Sequence, residues 1–398
     1  AASYAARHGK SVALLEKSPR VGGTSAVSGG VLWTAPTLEA WRARCPNGVE
    51  DLGRALVTRF PVVKEWLSEL HVEIESPVTV QGWAPGFPFD ILGYFRRATN
   101  LIESSGGFIM CSATTSQLIQ EDSAVTGVSV TDTEGTSAVI RADAVVLATG
   151  GLQGDPQARA RYIHPNAADV AVRATPWSRG DGLRLATAIG ADVSAGTRGF
   201  YGHLICAPLD RFEAADFTPL YLHYSHLCAL VNIHGKRFTD ELAGDHMSAQ
   251  ALVPEPDSRG LVIFDQDVYQ QAVLAPNYEG ATAYDKVEMA RARGANVDVA
   301  ESLEALAAAT ARWGFDSDEI VRSVAGFNAG CLPVRGRNGM PSRPDNRPKI
   351  RRPPFYALEV APAVTFTHSG LRIDPQAHVL DTDGAAVPGL YACGVDIG

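Results

Sequence analysis

The sequence predicts an α/β fold, in which a parallel sheet of the βαβ type and a small antiparallel sheet are interrupted by an inserted middle section. Three observations carry this. Residues 1–8 (AASYAARH) favour a helix, Gly9 suits the position that closes one, and the apolar run 11–15 (SVALL) reads as the strand that follows. A second strand of the same kind, residues 144–147 (AVVL), opens on Ala148-Thr149-Gly150-Gly151. Between the two, residues 117–120, 125–131 and 138–141 alternate apolar and polar side chains with turn formers between them, the pattern of antiparallel strands solvated on one face.

Taken in order, the helix at 1–8 and strand at 11–15 form the second half of a βαβ unit, so the first strand and its glycine turn are expected upstream of Ala1. Residues 36–70 and 90–106 carry helical spacing, with Leu52, Leu56, Phe60 and Trp66 on one stripe. From about residue 200 the chain has longer loops, more aromatics and more histidines, and 299–313 (VAESLEALAAATARW) reads as a helix. Residues 335–354 are basic and proline-rich, the composition of a surface connection. Strand character returns at 356–360, 370–373 and 390–392, and no internal repeat is visible.

Composition sets limits on function. A chain of 398 residues exceeds the size at which one hydrophobic core stops growing, which predicts two domains. Hydrophobic residues at 45% and charged residues at 20% exclude a disordered or fibrous chain. A net charge of −9 argues against a nucleic-acid partner, and no apolar run of about 18 residues predicts a membrane span. The six cysteines are widely spaced and none forms a C-x-x-C pair, so no metal centre is expected and the thiols read as reduced, in a cytoplasmic protein. The start lacks the basic and apolar regions of a signal peptide.

Four segments carry chemistry. Glu16, at the end of the strand in LLEKS, is placed to accept the ribose hydroxyls of an adenosine, or is a solvated loop charge. Residues 22–30 (GGTSAVSGG) hold four glycines and three hydroxyls, Thr24, Ser25 and Ser28, in nine positions; such backbone approaches a bulky anionic ligand closely and donates to its oxygens. Following that strand and acid, the segment favours a cofactor over a linker. Residues 145–151 (VVLATGG) read as a buried strand opening into a glycine turn over which a flat ring can pass, or as an ordinary strand end. Asp181 in RGDG stands at a helix start, as a ligand-facing carboxylate, an N-cap, or both.

The ordered set LLEKS, GGTSAVSGG, ADAVVLATGG, GDGLRLA, GKRFTDE and VPGLYACG resembles the flavoprotein subunits of the fumarate reductase and succinate dehydrogenase family over nearly the whole chain. The tail at 364–379 (VTFTHSGLRIDPQAHV) looks most like tricarballylate dehydrogenase-type members. The resemblance implies a Rossmann-like FAD-binding domain with an inserted α+β capping domain, divided as 1–198, 199–352 and 353–398. It implies FAD held by Glu16, Lys17, Gly22, Gly23, Thr24, Ser25, Ser28, Gly29, Gly30, Thr114, Ala148, Thr149, Gly150 and Asp181. The glycine loop has no histidine of the kind that links flavin covalently in succinate dehydrogenases, so FAD is expected to be non-covalent.

The family's reaction moves a hydride between flavin N5 and one carbon of a CH–CH or C=C bond, with a proton at the next carbon. Its relay arginine, eight residues after Arg237 of GKRF, falls on Asp245, and its glutamate and second arginine fall on Tyr221 and Tyr224. All three positions depart from the pattern, which argues against fumarate reduction by an arginine acid. His203 resembles the carboxylate-binding histidine; a second falls near Phe366, beside Thr365, Thr367 and His368. The cluster Tyr221, His223, Tyr224, His226, Asp245 and His246 is rich in proton carriers, and His203, Tyr224 and His246 are the catalytic candidates, with His203, Thr365, Thr367 and His368 for substrate. At the other end Val395 stands where glutamate is usual, and an arginine and flavin-closing helix are expected beyond Gly398. The expected activity is oxidation or reduction of a small carboxylic acid, exchanging electrons with an unspecified partner. Alternatives are a tyrosine-using ketosteroid-type dehydrogenase and a cofactor-free fragment of such an enzyme.

Overall fold

The computed structural model describes residues 1–80, 84–194, 198–277, 281–330, 349–368 and 370–397, and the chain divides into two compact units. The first takes Ala1–Asp155, Ala174–Arg198 and Phe366–Gly398; the second takes Pro156–Arg173 and Gly199–Thr365. The expected division had put 156–173 and 353–365 with the first unit. Backbone pairing puts them with the second: the long strand Phe355–Thr367 ladders against Gly260–Asp265, and Ala171–Val172 pairs parallel to it.

In the first unit, parallel pairing joins Ala13–Leu15 to Phe108–Met110, and Val145–Leu147 to Ala386–Ala392. The helix Ala2–Arg7 leads into the first pair, and Gly9, at φ 71°, makes the turn between them. The alternating segments form the expected antiparallel sheet, Thr114–Glu121, Ala124–Thr131 and Ser137–Arg141. Leu118, Val125 and Val128 from this sheet join Leu147, Leu185, Leu371 and Leu390 in one core. The stretches with helical spacing become Leu38–Arg44, Glu50–Glu69 and Ile91–Ser104. Two expectations change. The strand at 144–147 is not buried throughout, since Val146 is 46% exposed; Val145–Leu147 forms the edge of its three-stranded sheet. Residues 370–373 form isolated bridges, Gly370 to Ile397 and Ile373 to Val379, because each pairs through one residue only.

The second unit is built on a six-stranded mixed sheet. Its strands Ala229–Asn232 and Gly260–Asp265 are buried at every residue. Strand alternation explains this: Leu230, Val262, Phe264 and Leu358 enter one core, while Ala229, Val231, Leu261, Ile263 and Ala357 enter the other. Ala249 and Leu252 of the helix Asp245–Leu252 close the first face; Leu306 and Ala307 of Leu303–Thr310, with Ile320 and Val324 of Ser317–Asn328, close the second. Each buried Leu, Ile or Val contributes roughly 1.5–3 kcal/mol, enough in sum to hold polar groups in a fixed geometry. The helix expected at 299–313 begins later. Val297–Ala300 is a strand paired to Phe355–Thr367, and Ser302 caps Leu303–Thr310 by accepting from Ala305 N at 3.1 Å. Of the connection expected at 335–354, residues 335–348 lie outside the described residues. Among the described residues no helix is long and apolar enough to cross a membrane.

Candidate functional site

In the first unit the cofactor candidates gather around three loops. Glu16 follows the strand Ala13–Leu15 directly, and its Oε1 accepts from Ser18 N at 2.7 Å. The main chain of this loop also receives Ala113 N on Glu16 O and Ser112 N on Ser18 O, which sets Thr114 beside it. Lys17 Nζ donates to Asp181 Oδ2 at 2.7 Å. Asp181 is the first residue of the helix Asp181–Thr187; the cap is Gly180, at φ 78°, so the aspartate is not itself the N-cap.

Residues Gly23–Val27 form a short 3-10 turn, whose first amides have no partner inside it. The glycines around it divide into two kinds. At Gly22 a Cβ would stand 2.8 Å from Ala26 Cβ, and at Gly30 2.6 Å from Phe89 O, so those two serve the protein's own packing. At Gly23 and Gly29 a Cβ would meet nothing within 4 Å, which leaves their backbone open to a ligand. Thr24 Oγ1 accepts from Thr175 N at 3.4 Å, and Ser28 Oγ donates to Ser25 O at 2.7 Å. Ala148 and Thr149 are exposed at the end of their strand. The open glycine backbone, the exposed strand end and the acid at the first strand's end fit a dinucleotide such as FAD.

Asp396, which the sequence reading passed over, ties this region together. Thr149 Oγ1 donates to its Oδ1 at 2.8 Å, Gly150 N donates to its Oδ2 at 2.7 Å, and Gly182 N donates to Thr149 Oγ1 at 2.9 Å. Burial pushes the Asp396 carboxyl up to about 6, against the pull of the hydrogen bonds from Thr149 and Gly150. A Cβ at Gly182 would stand 2.1 Å from Asp396 Oδ1, so glycine is required there. An acid inside the glycine-flanked GVDIG was the signal available in the sequence.

In the second unit, His203 lies on the strand Phe200–Cys206 and Asp245 opens the helix Asp245–Leu252. His203 Nδ1 is 2.6 Å from Asp245 Oδ2, and both side chains are 3% exposed. His246 Nδ1 donates to Gly202 O at 2.7 Å and lies 3.5 Å from Asp245 Oδ1. The rings of Tyr221 and His246 stand 4.6 and 4.8 Å from that of His203, and Tyr201 lies 4.3 Å from His246. Arg173 faces the Tyr221 ring at 5.4 Å. Burial, and then the charge of Arg173, holds His203 well below the usual histidine range; burial raises Asp245 to about 6 while His246 and Arg173 oppose it. Burial also lowers His246. The ligand atoms of His203, Asp245 and His246 lie within 4.8 Å of one another, a spacing that suits a metal ion. The nearby Arg173 charge opposes a cation, and a hydrogen-bonded imidazole–carboxylate pair accounts for the geometry.

The structure therefore joins His203, His246, Tyr221 and Asp245. It does not support Tyr224 as an acid or base. That side chain is fully buried against Phe264 in the hydrophobic core, its hydroxyl has no hydrogen-bond partner among the described residues, and burial pushes it well above the usual phenol range. The neighbouring His223 is likewise driven down to about 3 by burial. Of the substrate candidates, Thr365 Oγ1 accepts from Arg173 Nη1 at 3.2 Å in the second unit. Thr367 belongs to the first unit, where it is 1% exposed and its hydroxyl accepts from Leu152 N at 3.2 Å, a structural use. His368 is exposed in the first unit. Arg173 and Tyr201 were missed; a lone arginine in the apolar stretch DVAVRATP was the available sign.

Residues 96–398 match the family model described as FAD binding domain, and residues 1–164 match the one described as FAD dependent oxidoreductase. The chain is 26% identical over 362 residues to the NADH:acrylate oxidoreductase of Vibrio harveyi, covering 87% of this chain and 34% of that protein, so it spans about a third of that relative's length. The open conformation of a flavocytochrome c3 fumarate reductase matches with a TM-score of 0.69 and 22% identity, over 100% of this chain and 70% of that one. The 3-ketosteroid delta1-dehydrogenase of Sterolibacterium denitrificans matches with a TM-score of 0.73 and 19% identity, over 99% and 91%. At these identities the two structures speak for the fold.

Proposed function

The chain belongs to the FAD binding domain family, and on that premise we propose that it is a flavin-dependent oxidoreductase acting on a CH–CH or C=C bond of a small organic acid. The observation that carries the proposal is the buried His203–Asp245 pair at 2.6 Å, at positions where the resembled family keeps substrate-handling residues. A relative named for acrylate lends support to an acid substrate. The finer form is a tricarballylate-type substrate, supported by the tail at 364–379. We take FAD to be non-covalent, because residues 22–30 contain no histidine.

When bound, FAD supplies the hydride chemistry. The protein's part is orientation and proton movement. Asp245 accepts from His203 Nδ1, which fixes the tautomer and leaves Nε2 as the nitrogen that exchanges a proton with the substrate carbon. His246, anchored by Gly202 O, flanks the pair, with its Nδ1 3.5 Å from the other oxygen of the carboxylate. Glu16, Lys17, Thr149 and Asp181 would hold the dinucleotide, with the open backbone at Gly23 and Gly29 against it.

The test is an anaerobic panel. Flavin-loaded protein is reduced chemically and mixed with fumarate, acrylate, an aconitate and an enone steroid, while oxidised protein is mixed with the saturated counterparts. An organic acid should change the flavin spectrum; a panel in which no acid does so contradicts the proposal. A second reading, dehydrogenation of a cyclic ketone, has Tyr201 and Tyr221 beside His203 in its favour. Response to the steroid alone would select it.

A further inference from the structure

We propose that Arg173 is the anchor for a substrate carboxylate in the second unit, through a guanidinium that has no anionic partner among the described residues and lies beside Tyr221. The inference rests on the oxidoreductase reading above and adds a residue to it. The positions at which the resembled family carries its relay arginines hold Tyr224 and Asp245 here, and neither is cationic. The cation of the site comes instead from the end of a different strand. Arg173 follows Ala171–Val172, which pairs parallel to Ala363 and Val364, and Arg173 N donates to Val364 O at 2.7 Å. The sheet thus fixes where the side chain starts.

The guanidinium has five N–H donors in a planar fork. Nε donates to Phe217 O at 2.9 Å and Nη1 to Thr365 Oγ1 at 3.2 Å, both neutral acceptors. The Phe217 and Tyr221 rings lie 5.6 and 5.4 Å from its central carbon. Among the described residues no carboxylate lies within 4.0 Å of it. Asp245 acts on Arg173 electrostatically without an ion pair within 4.0 Å; its Oδ2 is hydrogen-bonded to His203 Nδ1 at 2.6 Å, and its Oδ1 lies 3.5 Å from His246 Nδ1.

Two buried cations in this unit are used differently from Arg173, which is half-buried. Lys286 Nζ is held by the carbonyls of Val273 and Ala275, and Arg159 by those of Ala167, Ala168 and Val170, so both close turns of the main chain. Arg173 has one carbonyl and one hydroxyl, and donors to spare for a bidentate carboxylate. Its neighbour Tyr221 stands 4.6 Å from His203, so an acid bound at Arg173 brings its adjoining carbons toward the proton-exchanging imidazole.

The test compares fumarate with its neutral isostere fumaramide, by calorimetric titration of the flavin-loaded protein. Wild type should bind fumarate on the order of 100-fold more tightly than fumaramide, since a desolvated arginine–carboxylate pair is at stake. Arg173→Met should erase that preference while leaving fumaramide affinity within error. Arg173→Lys, which keeps the charge and loses the fork, should weaken fumarate about tenfold and fumaramide not at all; it carries the test if the methionine variant does not fold. Absence of fumarate binding, equal binding of the two probes by wild type, or equal weakening of both probes in the variants would overturn the proposal. If fumarate binding depends on Arg173 while no acid in the flavin panel responds, the anion site stands and the oxidoreductase reading falls.

Discussion

Burial acts on His203 and Asp245 in opposite directions, lowering the imidazole and raising the carboxyl to about 6, so both changes disfavour charge in the pair. Above about pH 6 the pair holds an ionised Asp245 and a neutral His203, which is a proton acceptor; below it the pair carries an extra proton and can donate. A dehydrogenation should therefore speed up as pH rises through about 6, and a C=C reduction should slow down over the same range. Asp245→Asn should remove that limb from the profile and lower kcat by on the order of 100-fold with a smaller change in KM. A profile that keeps its limb in the variant contradicts the assignment. A motif made His203 a candidate in the sequence, and the structure pairs it with Asp245. Tyr224 was misread because residue type and spacing do not reveal that a hydroxyl ends in an apolar core, and Arg173 was missed because nothing near it in sequence reveals the tyrosines that fold against it.

At the scale of elements, the loop 22–30 carries the cofactor assignment, and its glycines separate packing from binding. Gly30, at φ 65° with a would-be Cβ 2.6 Å from Phe89 O, should lose about 2 kcal/mol or more of stability on substitution by alanine. Gly29→Ala meets nothing within 4 Å, so stability should stay within about 0.5 kcal/mol of wild type, while FAD affinity falls on the order of tenfold. Urea unfolding alongside flavin fluorescence titration would check both; unchanged FAD affinity in Gly29→Ala would remove that backbone from the cofactor's path. The antiparallel sheet and the helix at Ile91–Ser104 were readable because periodicity alone specifies them. Thr149 and Gly150 clasp Asp396 across 247 and 246 residues of sequence, with Gly182 donating to Thr149, a relation that local pattern does not encode.

For the whole molecule, the change of character near residue 200 marked an inserted unit, whose sheet the long strand Phe355–Thr367 organises. Its far boundary escaped notice, because a strand that leaves one unit for the next shows no break in composition at Thr365. The net charge of −9 does not oppose an acidic substrate, since one desolvated arginine outweighs distant, screened surface charge at a site. The central claim is that this polypeptide is a flavoprotein. Incubating it with FAD, removing free FAD by gel filtration, and recording the visible spectrum before and after denaturation tests that most directly. The account predicts retained flavin absorbance that denaturation releases into solution. Protein that emerges colourless contradicts it, and would favour a cofactor-free polypeptide.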